Sequence, residues 1–305
     1  MTTKQPNRTG RRKPLAGANP FTIIEKAPGK FTHLVMAFKG WPDANEGATE
    51  ALRFFLRNFS ARKLAELDPE EFYDFSQTRP IVKVSKDGKR QLAWPKNEVF
   101  YQTSDSTQKR FLFLLGTEPS LKWRTYCDAV LNLAQQYEVQ TVLHMGALLD
   151  AVPHTRALRV TGSSNETERR QSLESLKIRG SNYQGPVGIP SAMMERCSAR
   201  GLQFITLWGH SSHYMQTSPN YKLTLGIVNS VRQVLDIELN TKPLEEASEA
   251  FFAEMQKAVE KDSQLSAYVQ KLETKFDEAV DIEMPSGDEM VRDVEAFLRD
   301  LRDKR

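Results

Sequence analysis

The chain has 305 residues, 39% of them hydrophobic and 27% charged, enough to bury a substantial core. No apolar stretch approaches the roughly 20 residues of a membrane span, and no apolar leader opens the sequence, so a cytoplasmic protein is expected. The net charge of +3 divides unevenly: residues 1–20 hold five bases and no acid, whereas residues 243–305 hold 17 acids against 9 bases. The basic start has little to bury and reads as a disordered arm; no aromatic is interleaved with its bases, so no specific nucleic-acid partner is expected. Cys127 and Cys197, each within an expected helix, read as buried reduced thiols.

In chain order, residues 32–38 (THLVMAF) form a buried strand that ends at Gly40. Ala48, Leu52, Phe55 and Phe59 then recur at helical spacing. Residues 71–75 read as a short strand, and Asp87-Gly88 between alternating segments predicts a hairpin within residues 81–101. Residues 110–115 and 141–145 are buried strands, with a helix over 119–137 between them. A strand over 157–161 and a charged helix over 166–176 come next. A helix over 190–200, closed by Gly201, leads to a strand over 203–208 and a helix over 220–235. Alternating strands and helices with short connections predict an α/β domain over residues 21–240, its sheet mostly parallel and covered by helices, with strands 32–38, 110–115, 141–145 and 203–208 adjacent.

The remainder, 241–305, reads as a helical extension. Leu244, Ala247, Phe251, Met255 and Val259 step by three and four, as do Leu265, Val269, Leu272, Phe276 and Val280, and then Met290, Val294, Phe297 and Leu301. Pro243 opens the first of these three helices and a capping box at Ser286 the third. Their apolar stripes pack on the α/β domain or on a partner.

Four polar, Gly- and Pro-rich phrases adjoin the expected strand ends, where open α/β sheets grip ligands. The first, residues 40–49, offers Trp41, Asp43 as helix cap, and Glu46. The second, 152–156, brings His154 and Arg156, with Arg159, Ser163 and Ser164 close behind. These cations facing a Ser-rich helix start could cradle an anion, or Ser164 or Asn165 could simply cap the helix. The third, 183–191, carries Tyr183, Gly185 and Gly188. The fourth, 207–214 (LWGHSSHY), carries His210, His213 and Tyr214.

Known chemical motifs do not fit these phrases. His210 and His213 are spaced for zinc, but Asp43, Glu46 and His154, which could complete a ligand set, are scattered, and no metal is expected. The order Gly209-x-Ser211-x-His213 lacks the second glycine of a nucleophile elbow. Neither a P-loop nor a Gly-x-Gly-x-x-Gly occurs, so no nucleotide cofactor is expected.

Taken in order and spacing, the four phrases resemble the PAC2 family, related to proteasome assembly chaperones, over roughly residues 31–235. The resemblance implies a fold like that of purine nucleoside phosphorylases, a central mixed sheet flanked by helices, and frequent homo-oligomers. It implies protein partners, proteasome subunits among them. Relatives that dock on the proteasome use a C-terminal hydrophobic-Tyr-any tripeptide; this sequence departs from that pattern with Asp303-Lys304-Arg305. Two readings follow. One is a non-catalytic, assembly-chaperone-like module; the other is an enzyme acting on an anionic or nucleoside-like molecule through His154, Arg156 and His210. If the phrases converge, these three and His213 lie near Trp41, Asp43 and Glu46, as a ligand pocket or as a structural clamp.

Overall fold

A computed structural model describes residues 20–104, 107–215 and 217–278. In chain order it comprises β1 (Phe21–Ile23), β2 (His33–Lys39), α1 (Gly47–Asn58), β3 (Arg62–Leu67), β4 (Ile81–Val84), β5 (Arg90–Ala93), β6 (Asn97–Tyr101), β7 (Phe111–Thr117), α2 (Trp123–Gln136) and β8 (Thr141–Asp150). There follow β9 (Val160–Ser164), α3 (Thr167–Ser175), α4 (Ile189–Ala199), β10 (Gln203–Ser212), α5 (Tyr221–Leu235), α6 (Lys242–Glu260) and α7 (Ser263–Glu278). Eight strands make one sheet in the order β1-β3-β6-β7-β2-β8-β10-β9. The four strands expected to be adjacent are its centre, β7-β2-β8-β10, and all pair in parallel. The outer strands β1, β3, β6 and β9 pair antiparallel, so the sheet is mixed.

The central strands are apolar on both faces because each face is roofed by helices. Along β2, Leu34, Met36 and Phe38 enter the core beneath α2 and α4, whereas Val35 and Ala37 enter the core beneath α1 and α5. On β7, Leu112 and Leu114 follow the first set, and Phe111 and Phe113 the second. Cys127 of α2 and Cys197 of α4 are buried free thiols, which burial pushes up to about 12, well away from reactive thiolates. Among the described residues, no helix is long and apolar enough to cross a membrane.

Several local expectations are corrected. The strand expected over 71–75 is absent; Pro69–Glu71 form a 3-10 turn whose Asp68 carboxylate accepts from Glu70 N at 3.0 Å. The strand lies earlier, at β3, where charges on an edge-side strand broke the apolar run that would have marked it. The strand expected over 157–161 starts only at Val160, and it runs antiparallel. Asn165 does not cap α3: its side chain donates to Leu202 O at 2.9 Å and accepts from Phe204 N at 2.7 Å, pinning the start of β10. Strands β8 and β10 outrun their expected ends by several residues, pairing in register from Gln203↔Thr141 to Ser212↔Asp150. Six of the eight residues of the fourth phrase are therefore strand, four of them, 209–212, beyond the expected strand end. The hairpin at Asp87-Gly88 is present as β4–β5, a separate two-stranded ribbon. Residues 1–19 and the third tail helix lie outside the described residues.

Gly209 shows why the fourth phrase carries a glycine. A Cβ there would fall 2.7 Å from Leu223 Cδ1 and 2.8 Å from Ile227 Cγ1, so α5 can seat on β10 only without one. Gly209→Val is expected to destabilise the fold by about 1–3 kcal/mol through overpacking. An unchanged urea midpoint would contradict this reading.

His144, fully buried on β8, has Nδ1 3.1 Å from Thr206 Oγ1 and lies between the rings of Phe38 and Trp208. Burial pushes its pKa from 6.5 down to about 3. Between those two values the unfolded chain holds a proton that the folded chain lacks, so stability falls as pH drops from about 6.5 to about 3. Each such histidine contributes a slope of about 1.4 kcal/mol per pH unit at most. His144→Phe is expected to flatten the pH 6 to pH 4 limb by that order, checked by urea titrations across the interval. An equally steep limb in the variant would show that His144 is not its source.

Candidate functional site

Asp150, the last residue of β8, was not singled out by the sequence, yet it anchors the strand-end cluster. In-register pairing sets β8 and β10 side by side, and His210 Nδ1 donates to Asp150 Oδ2 at 2.7 Å. Arg159 lies 3.8 Å from the same oxygen, and Ala151 N donates to Oδ1 at 2.7 Å. Burial alone would raise this carboxyl. The His210 hydrogen bond and charge, with Arg159 and Ala151, outweigh burial and hold it below the usual aspartate range. His210 Nε2 is 3.0 Å from Thr161 Oγ1 on the edge strand β9. His213 donates twice to the Asp150 carbonyl, from its backbone N and from Nδ1, each at 3.1 Å.

The second phrase joins this cluster from the β8–β9 connection. His154 N donates to the Tyr214 hydroxyl at 2.8 Å, which returns a hydrogen bond to His154 Nδ1 at 2.7 Å. His154 Nε2 donates to Gln256 Oε1 of α6 at 3.2 Å, and Lys222 Nζ of α5 donates to the His154 carbonyl. Burial lowers the pKa of both His154 and Lys222. Arg156 reaches outward and grips Asp277 of α7 with Nε and Nη2 at 2.8 and 2.7 Å, and Glu273 with Nη1 at 3.3 Å. The tail helices thus pack against the strand ends of their own chain.

The first phrase meets the fourth at Ser211, through Asn45 and Asn220, two residues that the sequence did not single out. Asn45 Oδ1 accepts from Ser211 Oγ at 2.8 Å, and Ser211 Oγ accepts from Asn220 Nδ2 at 3.3 Å. That arrangement keeps the Ser211 proton on Asn45 and away from His210, so the serine is not set up as a nucleophile. Asp43 caps α1, its Oδ1 accepting from Ala48 N and Thr49 N at 2.9 and 3.1 Å and its Oδ2 from Thr49 Oγ1. Burial pushes its carboxyl up. Glu46 occupies the N-cap backbone position of α1 in the left-handed region, where an exposed ion pair with Lys39 at 3.1 Å engages it.

The expected pairing of Asp43 and Glu46 with the histidines and Arg156 is therefore replaced by Asp150, Glu273 and Asp277. Those acids sit at a strand end and on a tail helix, where no local motif marked them. Trp41 is exposed and packs edge-on against Trp208, with ring centroids 6.3 Å apart. Tyr183 is exposed on its own loop and donates to Pro186 O at 3.0 Å, apart from the histidines.

Of the expected anion cradle, Arg156 is engaged by α7 carboxylates, Arg159 stands beside Asp150, and Ser164 Oγ accepts from Glu166 N at 3.2 Å. Ser163 lies on β9, in register with Thr206 of β10. The cavity among His154, Arg159, His210, Ser212 and Lys222 has a volume of about 20 Å³, room for about one water molecule. His154, Arg156 and His210 all border this small cavity, and their hydrogen bonds run to Tyr214 and Gln256, to α7, and to Asp150 respectively.

Removing Asp150 leaves His210 and Arg159 without their shared carboxylate. Asp150→Ala is expected to cost about 3 kcal/mol at pH 7. Because the folded carboxyl titrates below its ordinary value of 3.8, its contribution is complete above that pH and is lost only as pH falls through the lower folded value. Chemical denaturation at pH 7, 5 and 3 checks both the size and the window. A variant as stable as the wild type at pH 7 would rule out the anchoring role.

The arrangement has relatives. The PAC2 family model matches residues 37–259. A solved proteasome-assembly chaperone homologue from Mycobacterium tuberculosis is 30% identical, covering 78% of this chain and 100% of that one, with a TM-score of 0.71. A PAC2 family protein from Streptomyces avermitilis is also 30% identical over 78% of this chain and 99% of its own, with a TM-score of 0.68. An archaeal proteasome activator from Pyrococcus furiosus, 18% identical over 78% of this chain and 97% of its own, shares the fold with a TM-score of 0.62. No curated protein matches this sequence significantly. With a family match across most of its length and its strand-end cluster built on the expected parallel core, the chain belongs to the PAC2 family.

Proposed function

We propose that this protein is a non-catalytic interaction module that works as an assembly chaperone, with proteasome core subunits as its partner class. In this reading residues 21–240 are the chaperone domain, residues 241–305 its helical extension, and the working form a cytoplasmic homo-oligomer. Support for the class comes from the family and from the solved relative named as a proteasome-assembly chaperone homologue.

The observation that carries the reading is the β4–β5 ribbon. Ile81, Val84 and Leu92 are 65%, 63% and 57% exposed, and Val82 and Trp94 are exposed beside them. Val82 faces Leu92 across the ladder and Val84 faces Arg90, so one side of the ribbon is an apolar strip edged by charge. Residues 79–96 hold six bases and one acid. A lone two-stranded ribbon with bare apolar faces gains stability by being covered, and such patches mark protein contacts. The site histidines, by contrast, are committed to partners within the chain.

Pull-down of the tagged full-length protein from native lysate, scored for proteasome core subunits, tests this. Val84→Asp with Leu92→Asp is expected to reduce recovery of those subunits at least tenfold, with the melting temperature unchanged because both side chains are already solvated. Recovery of no core subunit by the wild type, or equal recovery by the variant, would overturn the proposal.

A further inference from the structure

The cationic strand-end surface already has an occupant, helix α7, which turns Glu273 and Asp277 toward it. Tyr268, Val269, Leu272, Glu273, Phe276 and Asp277 fall on one stripe of that helix. Asp277 takes Arg156 in a two-pronged ion pair, and Glu273 takes the same guanidinium and the Thr155 hydroxyl. The Arg159 guanidinium lies over the Phe276 ring at 5.2 Å, and the Tyr268 hydroxyl is 3.3 Å from His213 Nε2.

The hold is of an unusual kind for a helix on its own domain. Only Val269 and Leu272 of its sixteen residues are buried. Its principal ion pair is solvated, with Arg156 35% and Asp277 53% exposed, so salt screens it and it contributes little to a fixed structure. The stripe therefore reads as a recognition pattern, aromatic-apolar-x-x-apolar-acid-x-x-aromatic-acid, met by matching charges and rings on the β8–β9 connection and the end of β10.

We propose that the surface beneath α7, formed by Thr155, Arg156, Arg159 and His213, is a docking site for an acidic amphipathic helix of a partner protein, and that α7 is its built-in competitor. A partner helix with the same pattern displaces α7 by making the same contacts. A polyphosphate would satisfy the two arginines but has nothing to set beneath Arg159 or against the apolar positions of the stripe, which favours a helix as the ligand. The inference stands apart from the β4–β5 ribbon, so its failure would leave that reading intact.

The test uses the full-length chain. Glu273→Lys with Asp277→Lys sets like charges against Arg156 and releases α7. The probe is a labelled synthetic peptide with the sequence of residues 263–278, followed by fluorescence anisotropy at low salt. The released variant is expected to bind it at least tenfold more tightly than the wild type, and a peptide carrying the same two lysines is expected not to bind. Equal binding to both proteins, binding to neither, or binding of a single-stranded oligonucleotide in place of the peptide would overturn the proposal. If the variant does not fold, hydrogen exchange of the wild type in 0.5 M salt decides. Amides of α7 exchanging ahead of those in β8 and β10 support the built-in competitor, and exchange of α7 only together with the sheet refutes it.

Discussion

The parallel pairing of β8 with β10, unbroken from Thr141↔Gln203 to Asp150↔Ser212, is the constraint on which the rest of this molecule depends. It carries two strands past the apolar core to a level where their last residues are polar. There it places Asp150 within hydrogen-bond reach of His210 and presents its carbonyl to His213. A shift of register by one residue would turn each of these side chains to the opposite face of the sheet. Asp150, once buried, needs donors. The sequence supplies them from three places, β10, the β8–β9 connection and its own following amide.

Around that pairing, the polar phrases act as joints between elements. Asp43 ends the β2 exit by satisfying the first amides of α1. Asn45 and Asn220 meet at Ser211 and tie the starts of α1 and α5 to the end of β10. His154 and Tyr214 link the two strand-end phrases and hand a hydrogen bond on to α6. Buried polar groups of this kind must be satisfied as a set, since each unpaired member would cost the fold more than its hydrogen bond contributes. Motifs that stand apart in the one-dimensional sequence are, in three dimensions, hydrogen-bonded to one another and to neighbouring helices.

The molecule manages its surface in two opposite ways. On the β4–β5 ribbon it leaves large apolar side chains in solvent, ringed by bases. At the strand ends it covers bases with two acids of its own helix α7. Both arrangements place positive charge next to apolar or aromatic contact area. The fold is shared with relatives, and a fold by itself says little about partners.

Apolar runs and helical periodicities along the chain were sufficient to identify the α/β class, the four central strands and the helices between them, because burial on both faces of a parallel sheet demands uninterrupted apolar residues. The order and spacing of the polar phrases were enough to mark the family. Strand β3 was illegible because its charges interrupt the pattern that burial would have left, and the true ends of β8 and β10 were hidden because their last residues are polar like a loop. The composition of the cluster was half legible. His154, Arg156, His210, His213 and Tyr214 stood out by type, but their counterparts Asp150, Gln256, Glu273 and Asp277 did not. Those partners come from strand register and from two helices more than a hundred residues away in sequence, and only tertiary packing brings such groups within hydrogen-bond distance.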